Sequence, residues 1–308
     1  MVAPVRKTRI INVMGHKPKL HETFKRKNCL GQGLTSIVYK SDTISSSLKP
    51  SVVKVARPGE LNLKKIKELF RKEANLLARL DHPHIVKVQG YGECVDPKTD
   101  EGNPPLPFLA LELLEGKPLN YYVHNFLRFP VLRALKVTRD IASALKALHD
   151  KGLIHGDVKP ENVMFDAKKD HVTLIDLSDP IEEKSISAAS RIGTKSFMAP
   201  ERRCGLGVDK TIDIYALGLT FYELLTAEKA LPHIHEVKDP KELKYHYFDF
   251  LERLNKSNLP PMVKELISRT TRINKEERFQ NTQDLMDAID RVIDKLEKKE
   301  AAVSTAVA

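Results

Sequence analysis

Lys54, Glu73, Asp157, Lys159, Asn162 and Asp176 are the side chains in this sequence best suited to act together chemically. Lys54 interrupts the apolar run Ser51-Val52-Val53-Lys54-Val55-Ala56, and Glu73 falls inside the helical stripe Ile66, Phe70, Leu77, Leu80. Taken singly, each reads as a solvent-seeking charge at the edge of an apolar surface. Taken together they read as an ion pair, because an acid facing a core needs a cation to offset its desolvation. Asp157, Lys159 and Asn162 lie in His155-Gly156-Asp157-Val158-Lys159-Pro160-Glu161-Asn162, and Asp176 ends the apolar run Val172-Thr173-Leu174-Ile175. Phosphoryl transfer is catalysed mainly by positioning and charge stabilisation. It asks for carboxylate and amide oxygens to hold Mg²⁺ and for a cation on the moving group, and these four residues supply that set.

Upstream lies Leu30-Gly31-Gln32-Gly33-Leu34-Thr35-Ser36-Ile37-Val38-Tyr39-Lys40. Two glycines two apart, followed by a β-branched strand, allow a backbone to approach phosphates closely. Alone, such a spacing more often marks a plain hairpin. A strand rather than a helix follows it, so a dinucleotide-binding fingerprint is excluded.

The elements that must position these groups change character along the chain. Residues 1–23 read as an extension with a short apolar patch at 10–13. Strand-like runs follow at 36–40, 51–56, 85–91 and 108–113, with one helix at 63–80. Residues 41–50, rich in serine, and 95–107, rich in Pro, Gly and Asp, suit hairpin loops. From Leu119 onward helical periodicity dominates, most clearly at 131–148, 211–225 and 283–296. The expected class is α+β, with a small strand-rich part before a larger helical one.

Bulk properties exclude several alternatives. With 308 residues, 41% hydrophobic and 30% charged, the chain has the balance of a globular enzyme. No apolar run reaches the length of a membrane span, and the N-terminus lacks the apolar stretch of a secretory signal. Cys29, Cys94 and Cys204 have neither disulfide-framework nor metal-ligand spacing, which fits a reducing cytoplasm. The net charge of +10 is spread along the chain, with only 6% aromatics and no tryptophan. No basic-aromatic stripe points to specific nucleic-acid binding.

In this order and spacing, residues 24–295 resemble the eukaryotic-type (Hanks-type) serine/threonine protein kinase family. The glycine-rich loop, the strand lysine, the helix glutamate, the HGDVKPEN loop and Asp176 all follow the family's sequence. Met198-Ala199-Pro200-Glu201 is similar to the motif that closes the activation segment. Asp213-Ile214-Tyr215-Ala216-Leu217-Gly218 resembles the start of the central helix of the large lobe, and Arg278 the arginine that pairs with the glutamate at Glu201. The resemblance implies a bilobal protein-kinase-like fold. A small antiparallel β-sheet N-lobe with one helix would span about 24–111, a hinge 112–116, and a larger mainly helical C-lobe about 117–295. The helix at 285–296 would close the C-lobe, and residues 296–308, ending in small side chains, would be disordered.

The resemblance also implies roles. Leu30, Gly31, Gln32, Gly33 and Val38 would cover the ATP phosphates, and Lys54, oriented by Glu73, would hold the α- and β-phosphates. Leu111 would be the gatekeeper, and Glu112 to Leu114 the hinge that receives adenine. Asp157 would accept or orient the substrate hydroxyl, Lys159 would neutralise the transferring phosphate, and Asn162 and Asp176 would coordinate Mg²⁺, with Mn²⁺ as an alternative. Partners would be ATP and a protein carrying a Ser/Thr acceptor, which Lys159 and Thr194 favour over tyrosine. Oligomeric state and physiological substrate are not encoded in these motifs.

Three departures bear on control. Gly156 stands where most members carry an arginine that pairs with a phosphate on the activation segment, so activity is expected without phosphorylation there, including at Ser185, Ser187 and Ser190. Asp176-Leu177-Ser178 replaces Asp-Phe-Gly, and serine lacks glycine's access to positive φ, which implies a stiffer segment. Ser36 replaces the loop's third glycine. Because His-Gly-Asp is also similar to the loop of aminoglycoside and choline kinases, a small-molecule phosphotransferase stays open as an alternative, as does a catalytically weak or dead scaffold.

Overall fold

The computed structural model describes residues 11–12, 28–33, 36–41, 51–57, 62–94, 105–125, 127–177, 180–182, 194–232, 234 and 240–307. The chain divides into two compact units, Met1–Glu115 with Asp176–Asp179, and Gly116–Ile175 with Pro180–Ala308.

The first unit is a six-stranded sheet with one helix. In chain order its strands are β1 (Ile11–Asn12), β2 (Cys29–Gln32), β3 (Ser36–Ser41), β4 (Ser51–Ala56), β5 (Val88–Cys94) and β6 (Leu106–Glu112), arranged β1-β5-β6-β4-β3-β2. All pairings are antiparallel except that of β1, which lies parallel to β5 and pairs Ile11 with Gly90. The expected antiparallel sheet is thus present, and part of the apolar patch at 10–13 adds a short parallel edge strand to it. The rest of the expected extension lies outside the described residues. Most of the 41–50 and 95–107 linkers do so too, although Leu106 and Pro107 already belong to β6.

Helix α1 (Leu63–Leu77) starts at Asn62, whose side chain accepts the Lys64 N–H at 2.8 Å, a local cap for the helix N-terminus. It buries Ile66, Phe70, Glu73, Ala74 and Leu77 against β5 and β6. It ends three residues before the expected Leu80, which is itself still buried. The expected strand at 85–91 moves to Val88–Cys94: Ile85, which closes a turn through its N–H to the His82 carbonyl, and Val86 after it are buried but precede the strand. Apolar content there signals burial, not strand geometry.

The second unit is mainly helical: α2 (Leu119–His124), α3 (Val131–His149), α4 (Pro200–Arg203), α5 (Thr211–Thr226), α6 (Pro240–Lys256), α7 (Pro261–Thr270) and α8 (Thr282–Val307). Small ladders join them: β7 (Lys117–Pro118) with β9 (Val163–Asp166) and β10 (His171–Leu174), and β8 (Leu153–Ile154) with β11 (Ile181–Glu182). Every residue of α5 is buried, so it is the core about which α2, α3 and α7 pack. Gly218 permits the α5–α7 approach, since a Cβ there would stand 2.2 Å from Thr270 Oγ1. Helix α8 continues to Val307, which corrects the expected disorder of 296–308 as far as Val307, and Ala308 lies outside the described residues. Its small residues include alanines, the best helix formers, and Glu297 is tied to Lys136 of α3 at 3.0 Å.

Candidate active site

Each unit carries its own preassembled group of functional side chains. In the first unit, the Lys54 ammonium projects from β4 and donates to Glu73 Oε1 at 2.9 Å, Glu73 Oε2 at 3.0 Å and Asp176 Oδ1 at 2.9 Å. Side-chain exposure is 9% for Lys54, 2% for Glu73 and 36% for Asp176, so only Asp176 reaches solvent appreciably. Burial works against the charge on Lys54, yet the Asp176 and Glu73 carboxylates outweigh it and hold the ammonium well above its usual pKa. Burial pushes the Glu73 carboxyl up, against the pull of Lys54 and of the Leu177 N–H. Leu177 itself is buried.

The other expected residues of this unit lie along its strands. Gly31 and Gln32 pair with Val38 and Ile37 in the β2–β3 hairpin, and Gly33 N–H donates to the Ser36 carbonyl at 2.8 Å. Leu30 is 58% exposed. Leu34 and Thr35 at the tip lie outside the described residues. Leu111 is buried in β6 opposite Val52, Glu112 ends that strand, and Leu114 follows half-buried. The Glu112 side chain accepts the Lys87 N–H at 2.8 Å while its own N–H donates to the Lys87 carbonyl, which fixes the strand's end.

The second unit gathers Asp157, Lys159, Asn162 and Thr194. Asp157 Oδ2 accepts from Lys159 Nζ at 2.6 Å and from Asn162 Nδ2 at 3.1 Å, and its Oδ1 accepts the Thr194 N–H at 3.0 Å. Lys159 Nζ also donates to Thr194 Oγ1, so the lysine bridges the HGDVKPEN loop and the residue after Gly193. Burial would raise the Asp157 pKa, but hydrogen bonds and charge from Lys159, with the Thr194 N–H, bring it below the ordinary carboxylate value. Asn162 Nδ2 further donates to the Asp157 carbonyl at 2.8 Å, and its own carbonyl accepts the Ile175 N–H at 3.0 Å. The amide nitrogen is thereby committed inward. Among the described residues, no hydrogen bond engages its Oδ1.

Sequence reasoning missed what holds this loop. Asp213, buried in the first turn of α5, accepts the His155 and Gly156 N–H groups and the His149 ring, each at 2.8 Å. Burial would raise its pKa, but these donors lower it. A signal was present, since an acid in the first turn of a helix buried on every side must find donors. Arg202, which donates to the Gly156 carbonyl, was missed as well and had no such signal. Gly193, Ser178, Ser185, Ser187 and Ser190 lie outside the described residues.

No group of three or more His, Cys, Asp or Glu side chains suited to a metal occurs among the described residues. Mg²⁺ does not require one, because it is commonly held by one or two carboxylates with phosphate oxygens and water. Asp176, with a partly exposed carboxylate, and Asn162, through its amide oxygen, are hard oxygen donors of that kind. They fit the metal by chemistry.

Comparison with known proteins shows the family of the chain. The protein kinase domain model matches residues 24–288. The chain is 31% identical over 239 residues to the serine/threonine-protein kinase PksC of Streptomyces coelicolor, which covers 73% of this chain and 41% of that protein. It is 34% identical over 215 residues to the serine/threonine-protein kinase PknB of Mycobacterium leprae, covering 68% and 33%. It is 32% identical over 205 residues to the serine/threonine-protein kinase pkn2 of Myxococcus xanthus, covering 64% and 23%. The matched region thus spans less than half the length of each of these relatives.

Proposed function

The chain belongs to the protein kinase domain family, and from that premise we propose that it transfers the γ-phosphoryl group of ATP to serine or threonine hydroxyls of proteins. The observation that carries this reading is the Asp157–Lys159–Thr194 cluster. A carboxylate held ionised is bonded to a lysine that also holds a threonine hydroxyl. Asp157 would orient the acceptor hydroxyl and take its proton, while Lys159 would face the charge of the transferring group.

Lys54 would hold the α- and β-phosphates, with Glu73 fixing the ammonium. Leu30, Gly31, Gln32, Gly33 and Val38 would cover the phosphates. A Cβ at Gly31 would meet nothing within 4 Å, so protein packing does not demand glycine there and an approaching ligand is the better reason. Leu111, Glu112 and Leu114 would face the adenine. Family members use ATP with a divalent metal. For this chain we assign Mg²⁺, or Mn²⁺, to Asn162 and Asp176, where it would neutralise phosphate charge.

No described helix is long and apolar enough to cross a membrane, and Cys29, Cys94 and Cys204 form no disulfide. Both fit a kinase domain working in the reducing cytoplasm. The test is incubation with ATP, Mg²⁺ and a generic protein such as casein, followed by phosphosite mapping on a peptide library. Phosphoserine and phosphothreonine are expected. Phosphate appearing only on an aminoglycoside or choline would favour a small-molecule enzyme, and ATP binding without turnover would favour a scaffold.

A further inference from the structure

Gly156 is enclosed on two sides. Its φ of +78° lies in the left-handed region that glycine enters without steric cost. A Cβ there would stand 3.2 Å from Ile181 Cδ1 and 3.3 Å from Arg202 Nη1. The space beside it is small. A cavity of about 10 Å³ lined by Gly156, Asp157, Thr194 and Arg202 leaves room for no more than one water. A side chain at 156 and the guanidinium of Arg202 therefore compete for the same place.

Arg202 is 5% exposed, and its Nη1 donates to the Gly156 carbonyl oxygen. That oxygen and the Asp157 N–H belong to one peptide group, and the N–H is taken by His155 Nδ1 at 3.1 Å. The preceding peptide is held by its own N–H, which donates to Asp213 Oδ1. Rotation of the Gly156–Asp157 peptide would swing the Asp157 carboxylate, and Arg202 is the group that fixes its oxygen. Arginine stays protonated at all working pH values, so this contact needs no modification to form.

We propose that Arg202 is a positioning residue for Asp157. From within α4 it supplies the ordering of the catalytic loop that in most family members involves an arginine at the place of Gly156. The inference rests on the kinase reading above and deepens it, since it gives a physical basis for activity without a phosphate on the activation segment.

The experiment compares wild type, Arg202→Met and Arg202→Gln in steady-state phosphorylation of casein, with thermal unfolding followed in parallel. Methionine keeps much of the volume and removes the donors; glutamine keeps a donor without the charge. Expected is a fall in kcat of about ten- to a hundred-fold for Arg202→Met at unchanged KM for ATP, as for a small misplacement of a reacting group. Glutamine should recover most of that loss. Arg202→Met with wild-type kcat, or Arg202→Gln no better than Arg202→Met, overturns the inference. Should Arg202→Met not fold, Gly156→Ala presses on the same contact from the other side, and wild-type kcat in that variant overturns it equally. An inactive wild type would instead overturn the kinase reading.

Discussion

Two buried ion pairs, one in each unit, use the same chemistry for different ends. In the second unit, Arg278 meets Glu201 in a fork, Nη1 to Oε1 at 2.6 Å and Nη2 to Oε2 at 2.8 Å. It also donates to the carbonyls of Arg272, Ile273 and Thr211, and it stacks 4.8 Å from the Tyr215 ring centroid. Its side chain is 0% exposed. That pair is saturated and closed, and it ties α4 to the segment before α8. In the first unit, one lysine serves two carboxylates, and the second of them, Asp176, is a third exposed. A saturated pair can only hold structure, whereas an ammonium shared with an accessible acid can be handed to a ligand. The geometry of satisfaction, more than burial itself, separates the two roles.

The comparison breaks most visibly through activity. Replacing Lys54 with methionine should lower phosphoryl transfer by about a thousand-fold or more, since it removes the cation proposed to hold the phosphates. Its effect on stability should be smaller than a broken buried pair usually brings, because burial already pushes Glu73 towards the neutral form. Arg278→Met should do the reverse. Loss of a saturated pair costs about 3–5 kcal/mol in urea unfolding, and the specific activity of the folded fraction should stay far above that of Lys54→Met. Equal activity loss in both variants would erase the distinction.

A third buried carboxylate sharpens it. Glu223 accepts the Ala230 N–H at 3.1 Å and forms no ion pair among the described residues. Burial pushes its pKa up from 4.5 to about 7. Between those values the native state binds the extra proton, so stability falls as pH rises from about 4.5 to about 7 and is level above, by roughly 3 kcal/mol in all. Glu223→Gln should remove that slope in urea titrations run from pH 4.5 to 8, and an unchanged slope would contradict it. The smallest effect is expected at the activation segment. Replacing Ser185, Ser187 and Ser190 together with alanine should leave kcat unchanged, and loss of activity would show that a phosphate is needed after all.

Much of the molecule was readable because its signals were paired. Lys54 in an apolar strand and Glu73 in an apolar stripe each admit a bland meaning, and their coincidence does not; the structure joins them at 2.9 Å. The HGDVKPEN loop likewise carried its carboxylate, lysine and amide within a few residues, and they converge on Asp157. The strand at 85–91 was misplaced because buried apolar residues just before a strand carry no period of their own. The tail after 296 was misread because alanine serves both disordered ends and helices, and the Lys136–Glu297 contact at its start joins residues far apart in sequence. Arg202 was invisible for a related reason. In Pro200-Glu201-Arg202-Arg203 an arginine looks like surface charge, and only the fold brings it onto Gly156.

The most direct test of the catalytic assignment is transfer of the γ-phosphate from labelled ATP to casein by wild type and by Asp157→Asn, prepared in parallel. Asparagine keeps the size of Asp157 but cannot take a proton. Wild type should label serine and threonine, and Asp157→Asn should fall by about a hundred- to ten-thousand-fold while still binding ATP. Undiminished labelling by Asp157→Asn, or none by wild type, would contradict the assignment.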